Sequence, residues 1–191
     1  MRIGFCGARC IGKSTVAKKV VQELPHHFLS DNAAINVFSL LKKRNIKSQE
    51  LAEVMITSDL VRYYIGKTNI VASRTLFDVY FIYLNKINMF NRGEFFEKVI
   101  VPVYKRYPLD ILFVGFLKED SKLEWVTEDE AHKRGYNNVD ELKKEIRNDN
   151  KLLGCNFRAY DILSNGLAKK VVLVPAPFDK ETILGEIKNG L

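Results

Sequence analysis

The run Gly7-Ala8-Arg9-Cys10-Ile11-Gly12-Lys13-Ser14 is an unbroken G-x-x-x-x-G-K-[ST], followed by Thr15. A loop of this kind turns successive backbone N–H groups inward around a phosphate, and glycine permits the dihedrals and the close approach that a Cβ would block. Lys13 would reach the β- and γ-phosphates, and the Ser14 hydroxyl is the expected Mg²⁺ ligand. An exposed loop lysine adds little to stability, so replacing Lys13 is expected to spare the thermal midpoint. Gly7, Ala8, Arg9, Cys10, Ile11, Gly12, Lys13, Ser14 and Thr15 together form the expected cofactor-binding stretch. The pattern occurs by chance in unrelated proteins, so its surroundings decide its meaning. Met1 to Cys6 is a short apolar run that reads as a buried strand, and Val16, Ala17, Val20, Val21 and Leu24 recur at helical spacing after the loop. Strand, glycine loop and helix N-terminus are what an anion site of this type requires, because the helix dipole adds to it.

The same alternation continues along the chain. Strands are expected at His27–Ser30, Asn69–Ser73, Leu109–Phe116 and Lys169–Pro175. Helices are expected at Asn32–Leu41, Ser48–Ile65, Thr75–Ile87, Glu94–Tyr104, Asp140–Leu153 and Lys180–Ile187, with a bend or a stop at Pro102. Thr127-Glu128-Asp129-Glu130 has the spacing of a capping box and opens a short helix that ends near Gly135. Strands alternating with helices imply an α/β fold, a parallel sheet covered on both faces. Ligands then gather at the carboxyl ends of the strands. Besides the loop, Asp31, Ser73-Arg74 and Lys118–Asp120 stand at such ends.

The composition narrows the class further. The chain has 191 residues, 47% of them hydrophobic and 28% charged, which suits one soluble domain with a full core. Its longest apolar run, Val79 to Leu84, is too short to span a bilayer. Three cysteines, an odd number, fit a reducing compartment, and the expected location is cytoplasmic. Cys6 and Cys10 have no His or Cys cluster that would complete a zinc site. The adjacent His26 and His27 read as surface spacers. The segment from Glu119 to Asp149 holds ten acidic and six basic residues, so a chain of net charge +7 carries +11 outside it. That excess suits the attraction of polyphosphates, or else a nucleic-acid surface, although no block of consecutive Lys or Arg marks a basic tail.

This layout resembles the P-loop kinases of nucleosides and nucleoside monophosphates, the thymidylate kinase-like and deoxynucleoside kinase-like enzymes. The likeness is carried by the phosphate loop and by Ser73-Arg74-Thr75-Leu76-Phe77-Asp78-Val79-Tyr80, where those enzymes have an acid–Arg pair before an apolar helix. It implies a single three-layer α/β/α domain over residues 1–191, with a helical lid at 117–160. By the same resemblance, Arg74 would hold the transferred phosphoryl group, a task suited to a planar guanidinium. The alternative for Arg74 is an i,i+4 pair with Asp78. Asp31 would orient or deprotonate the acceptor hydroxyl, or else serve as a helix N-cap. Arg62 would reach the acceptor phosphate, or pair with Asp59. Arg134, Arg147 and Arg158 are the candidates to enter from the lid, and Trp125 would stack on a base or anchor the lid.

Ser73 departs from the family, which usually has Asp or Glu there. Metal binding is therefore expected to lean on Ser14, the nucleotide phosphates and Asp31. The implied activity is transfer of the γ-phosphoryl group of ATP, with Mg²⁺, to a small nucleotide-type acceptor, with a nucleoside monophosphate preferred. The alternatives are a nucleoside or pyridine nucleoside, a 5′-hydroxyl polynucleotide, or a nucleotide-binding regulator without fast turnover. The expected partner is a small molecule rather than nucleic acid or a membrane. The oligomeric state is left open by the sequence, a homodimer included.

Overall fold

A computed structural model of the chain describes residues 1–30, 58, 61, 67–83, 94, 96–154, 164 and 166–189. Asp31, Arg62 and Arg158, with the helices expected at Asn32–Leu41 and across most of Ser48–Ile65, lie outside the described residues. The described strands are β1 (Arg2–Gly7), β2 (Phe28–Ser30), β3 (Ile70–Ala72), β4 (Leu109–Phe116) and β5 (Ala168–Pro175). They form one parallel sheet in the order β2-β3-β1-β4-β5. The chain leaves β1 toward one edge and later crosses to the other. The carboxyl end of β1 is thus a topological switch point, where open α/β sheets bind their ligands.

The helices are α1 (Lys13–Glu23), α2 (Leu76–Asp78), α3 (Val101–Arg106), α4 (Glu128–Lys133), α5 (Val139–Gly154) and α6 (Lys180–Lys188). The period-two alternation of the central strands sends side chains to opposite faces of the sheet. Ile3 and Phe5 of β1, with Ile111 and Phe113 of β4, pack with Val16, Ala17 and Val20 of α1 and Ile183 and Ile187 of α6. On the other face, Cys6, Leu112 and Val114 pack with Phe77, Tyr104 and the α5 residues Leu142, Ile146 and Leu153. The result is a three-layer α/β/α arrangement with both sheet faces buried. Phe77 and Tyr104 stack with centroids 4.9 Å apart, and the Tyr104 hydroxyl accepts a 3.1 Å bond from Leu76 N.

Two expected helices differ in detail. The apolar segment after Arg74 is α-helical only over Leu76–Asp78 and continues as a wider π-type turn over Val79–Tyr83. There Val79 and Phe81 are both buried, and Tyr80 is half-buried. Before Pro102 the chain is again π-helical, over Phe96–Ile100, and Pro102 stands in the first turn of α3. The proline, which lacks an N–H, thus falls where the wider turn gives way to the α-helix. Thr127 caps α4 as its spacing predicts, accepting from Glu130 N.

Much of the segment expected to act as a lid is built into the body. In α5, Leu142, Ile146, Asp149 and Leu153 are all buried. Among the described residues, no helix is long and apolar enough to cross a membrane.

Candidate nucleotide site

The phosphate loop leaves β1 at Gly7, where φ is +146°, and enters α1 at Gly12, where φ is +90°. A Cβ on Gly7 would lie 2.4 Å from Ile11 Cδ1 and 2.7 Å from the Gly115 carbonyl, so no other residue fits there without displacing the loop. Cys10 also has a positive φ, 58°, which stores backbone strain of about 1–3 kcal/mol in a non-glycine residue.

Separate parts of the chain hold the loop carbonyls outward. Cys10 O accepts from Trp125 Nε1 at 2.8 Å, Ile11 O from Phe178 N at 2.9 Å, and Gly12 O from Val16 N at 2.8 Å. With these carbonyls engaged, the N–H groups of the first turn of α1 remain the natural donors for an anion. Arg9 is tied down as well. Its backbone N and Nε both donate to Asp149 Oδ2, at 3.3 and 2.7 Å, and its guanidinium also bonds Asp149 Oδ1 at 3.2 Å and the Tyr136 hydroxyl. Glu145 adds a carboxylate oxygen at 3.6 Å. The loop is thereby fastened to α5.

Lys13 corrects an expectation. Its side chain is only 8% exposed, and its ammonium donates to the carbonyls of Gly7 and Ala8, at 2.5 and 2.7 Å. Asp78 Oδ1 lies 3.6 Å away. Burial pushes the Lys13 pKa below the ordinary lysine range, Asp78 opposes that shift, and the positive charge of Arg74 adds to it. A buried, paired ammonium contributes to the fold, so replacing Lys13 cannot be structurally silent.

Arg9, Cys10, Ile11, Gly12, Lys13, Ser14 and Thr15 line a cavity of about 330 Å³, which suits a small ligand. Gly7 and Ala8 stand behind it, their backbone groups engaged by Asp78 and Lys13. Arg74 lines the same cavity from the end of β3, as do Trp125 and Arg134 on the opposite wall. The Arg134 side chain is 34% exposed and pairs with Glu130 at 2.6 Å, one turn earlier. Arg147 is exposed on α5 and is not among the cavity-lining residues. The exposed Lys118–Asp120 also stand apart from the lining. Ser73 is buried beneath Arg74, its N–H donating to Ser30 O at 2.9 Å. The indole of Trp125 is an anchor through its bond to Cys10.

Sequence reasoning missed Asp78, Asp149 and Tyr136 as parts of the site. Thr75 and Asp78 have the spacing of a capping pair, and the two do cap α2 reciprocally. That spacing gives no hint that the other carboxylate oxygen of Asp78 serves the loop.

For Mg²⁺, the described side-chain oxygens on the cavity wall are the hydroxyls of Ser14, Thr15 and Thr127 and the Glu130 carboxylate, which is already paired with Arg134. No group of three or more His, Cys, Asp or Glu side chains among the described residues stands ready for a metal. A hard cation that takes most of its oxygens from phosphates and water fits such a wall.

No protein-family model and no curated protein sequence matches the chain. Solved structures do. The deoxyadenosine kinase of M. mycoides with bound dCTP aligns with a TM-score of 0.66 at 17% identity, covering 99% of this chain and 100% of that one. The same enzyme with the products dCMP and a flexible dCDP aligns at 0.64 and 18%, covering 99% and 97%. The two proteins share a fold. It is the P-loop α/β fold of a deoxynucleoside kinase.

Proposed function

We propose that this protein is a P-loop phosphotransferase that moves the γ-phosphoryl group of ATP to a nucleoside-type acceptor, with a deoxynucleoside as the preferred one. The observation that carries this reading is the convergence of Lys13, Ser14 and Arg74 on one cavity at the switch point of the sheet. Phosphoryl transfer asks a protein chiefly for positioning and charge neutralisation, and this arrangement offers both. The loop amides and Lys13 hold the β- and γ-phosphates. Arg74, entering from β3, faces the same phosphates and stabilises the charge that spreads over the transferred group. Ser14 would hold Mg²⁺ together with the nucleotide phosphates, and when bound such a cation would add to the neutralisation of their charge. Asp31, one residue beyond β2, is the candidate to orient the acceptor hydroxyl.

The fold shared with a deoxyadenosine kinase supports a nucleoside acceptor over the monophosphate preferred from sequence. The second reading, a nucleoside monophosphate, draws on Arg134, which adds another guanidinium to the lining. One assay separates them: ATP and Mg²⁺ with deoxynucleosides, their 5′-monophosphates and 5′-hydroxyl oligonucleotides, products resolved by chromatography. Deoxynucleoside monophosphates are the expected product. Diphosphates alone would establish the second reading, and no phosphorylated product from any acceptor would remove the kinase assignment. Trp125 is the sole tryptophan of the chain and touches the loop, so its fluorescence reports nucleotide binding separately from turnover.

A further inference from the structure

We propose that Asp78 is a positioning residue of the phosphate site, holding the Lys13 ammonium and the first N–H of the loop in register with the helix behind Arg74. The inference rests on the nucleotide reading of the cavity. Asp78 is fully buried, and its two oxygens serve different parts of the chain. Oδ2 accepts from Thr75 N at 2.9 Å and Thr75 Oγ1 at 3.2 Å, capping α2 directly after Arg74. Oδ1 accepts from Gly7 N at 3.2 Å and faces the Lys13 ammonium at 3.6 Å. A helix cap needs only the first pair of contacts. The second pair reaches a loop 71 residues away in sequence and supplies the nearest carboxylate to the buried lysine.

The chemistry calls for a carboxylate. Both oxygens must accept, and an amide offers only one acceptor, the other position being an NH₂ that would meet the donors Gly7 N–H and Lys13 or Thr75. The negative charge also compensates the burial of Lys13, whose remaining polar contacts are neutral carbonyls. Asp78 therefore acts on the ligand through Lys13 and the loop, with the two cationic arms of the site built on one buried group. Ser73, where related kinases carry an acid, is neutral. Here the acid that supports the phosphate site lies in the first turn of α2 and faces the lysine.

The test compares ATP with AMP, since only ATP offers the phosphates that Lys13 reaches. Affinities for both are read from Trp125 fluorescence in the full chain. In Asp78→Asn, ATP affinity is expected to fall about 10- to 100-fold, the cost of a misplaced binding group, with AMP affinity held within about twofold. In a Lys13→Ala background, Asp78→Asn is expected to change ATP affinity by less than about twofold, because the two residues act as a unit. An unchanged ATP-to-AMP ratio in folded Asp78→Asn would overturn the inference, as would a full effect in the Lys13→Ala background. If Asp78→Asn fails to fold, the measurement passes to Lys13→Met/Asp78→Asn, in which the stranded charge is gone. Recovery of a cooperative thermal transition supports the pairing, and its absence overturns it. Wild-type protein that binds neither nucleotide would instead bring down the nucleotide reading itself.

Discussion

The floor and the outer wall of the cavity are built by opposite means. The floor is the phosphate loop, whose polar groups are engaged by distant parts of the chain: the buried carboxylates of Asp78 and Asp149 and the half-buried Trp125 and Phe178. The outer wall runs from Trp125 to Arg134 and is more open to solvent than Lys13, with the Arg134 side chain held, among the described residues, only by Glu130 one turn earlier. Buried pairs resist displacement, because breaking one strands a charge away from water. Exposed helix pairs contribute only a few tenths of a kcal/mol and rearrange freely. The contrast teaches that the polar groups of the loop are fixed by tertiary partners, whereas Arg134 on the other side of the lining is fixed only within its own turn.

The contrast can be broken at several points. Lys13→Ala removes the principal cation of the floor and strands Asp78. Phosphoryl transfer is expected to fall on the order of 10²–10³-fold, the scale of losing one preorganised charge-stabilising donor. Stability should drop by about 3 kcal/mol in the same variant, read by urea denaturation. A variant that transfers phosphate at near-normal rates would mean that the floor is not the reacting site.

Asp149→Ala removes the buried carboxylate from the Arg9 guanidinium, which is one-fifth exposed, and leaves the loop its longer contact with Glu145 on α5. A loss of roughly 3 kcal/mol is expected, together with weaker ATP binding. Unaltered binding by a destabilised protein would show that α5 supports the fold without supporting the loop. Gly115→Ala approaches the loop from behind, since the new Cβ would meet Ile11 Cδ1 at 2.4 Å and the Phe178 ring at 2.9 Å. Overpacking of this kind costs about 1–3 kcal/mol. Adding Ile11→Val, which deletes the clashing methyl group, should return part of the lost stability. If it returns none, the strain is carried by Phe178 alone.

The outer wall should respond least. Arg134→Ala is expected to stay within about 0.5 kcal/mol of wild-type stability. Its effect belongs in the Michaelis constants. A stability loss as large as that of Asp149→Ala would erase the distinction between the two walls.

What the sequence revealed follows the same division. The loop, β1, α1 and β4 were legible because their signals are contiguous. Glycines and a lysine at fixed spacing, a helical period directly behind them, and the largely apolar stretch Leu109–Phe116, interrupted only by Asp110 and Gly115, each lie within a few residues. The cap at Thr127 was legible for the same reason. The supports of the floor were not. Asp78 and Asp149 meet the loop across 71 and 140 residues of chain; Asp149 shares the helical spacing of Leu142, Ile146 and Leu153, which signals burial, but nothing local to either acid names its partner. Lys13 was taken as exposed on the same ground. Its burial goes with the bonds of its ammonium to the Gly7 and Ala8 carbonyls and with Asp78 at 3.6 Å, the last a tertiary fact. The π-type turn at Val79–Tyr83 was hidden because an apolar segment without gaps satisfies an α-helical period and a wider one equally well.

One feature of the loop has a chemical corollary. Cys10 lies on the cavity wall, where burial raises its pKa, with Arg134 pulling the other way and Glu130 reinforcing the rise. A sulfhydryl held in its neutral form is a sluggish nucleophile toward alkylating agents and peroxide, both of which react with the thiolate. The protein thus carries sulfur beside its anion site without offering oxidants an easy target. A nucleotide seated over the loop would shield that sulfur further.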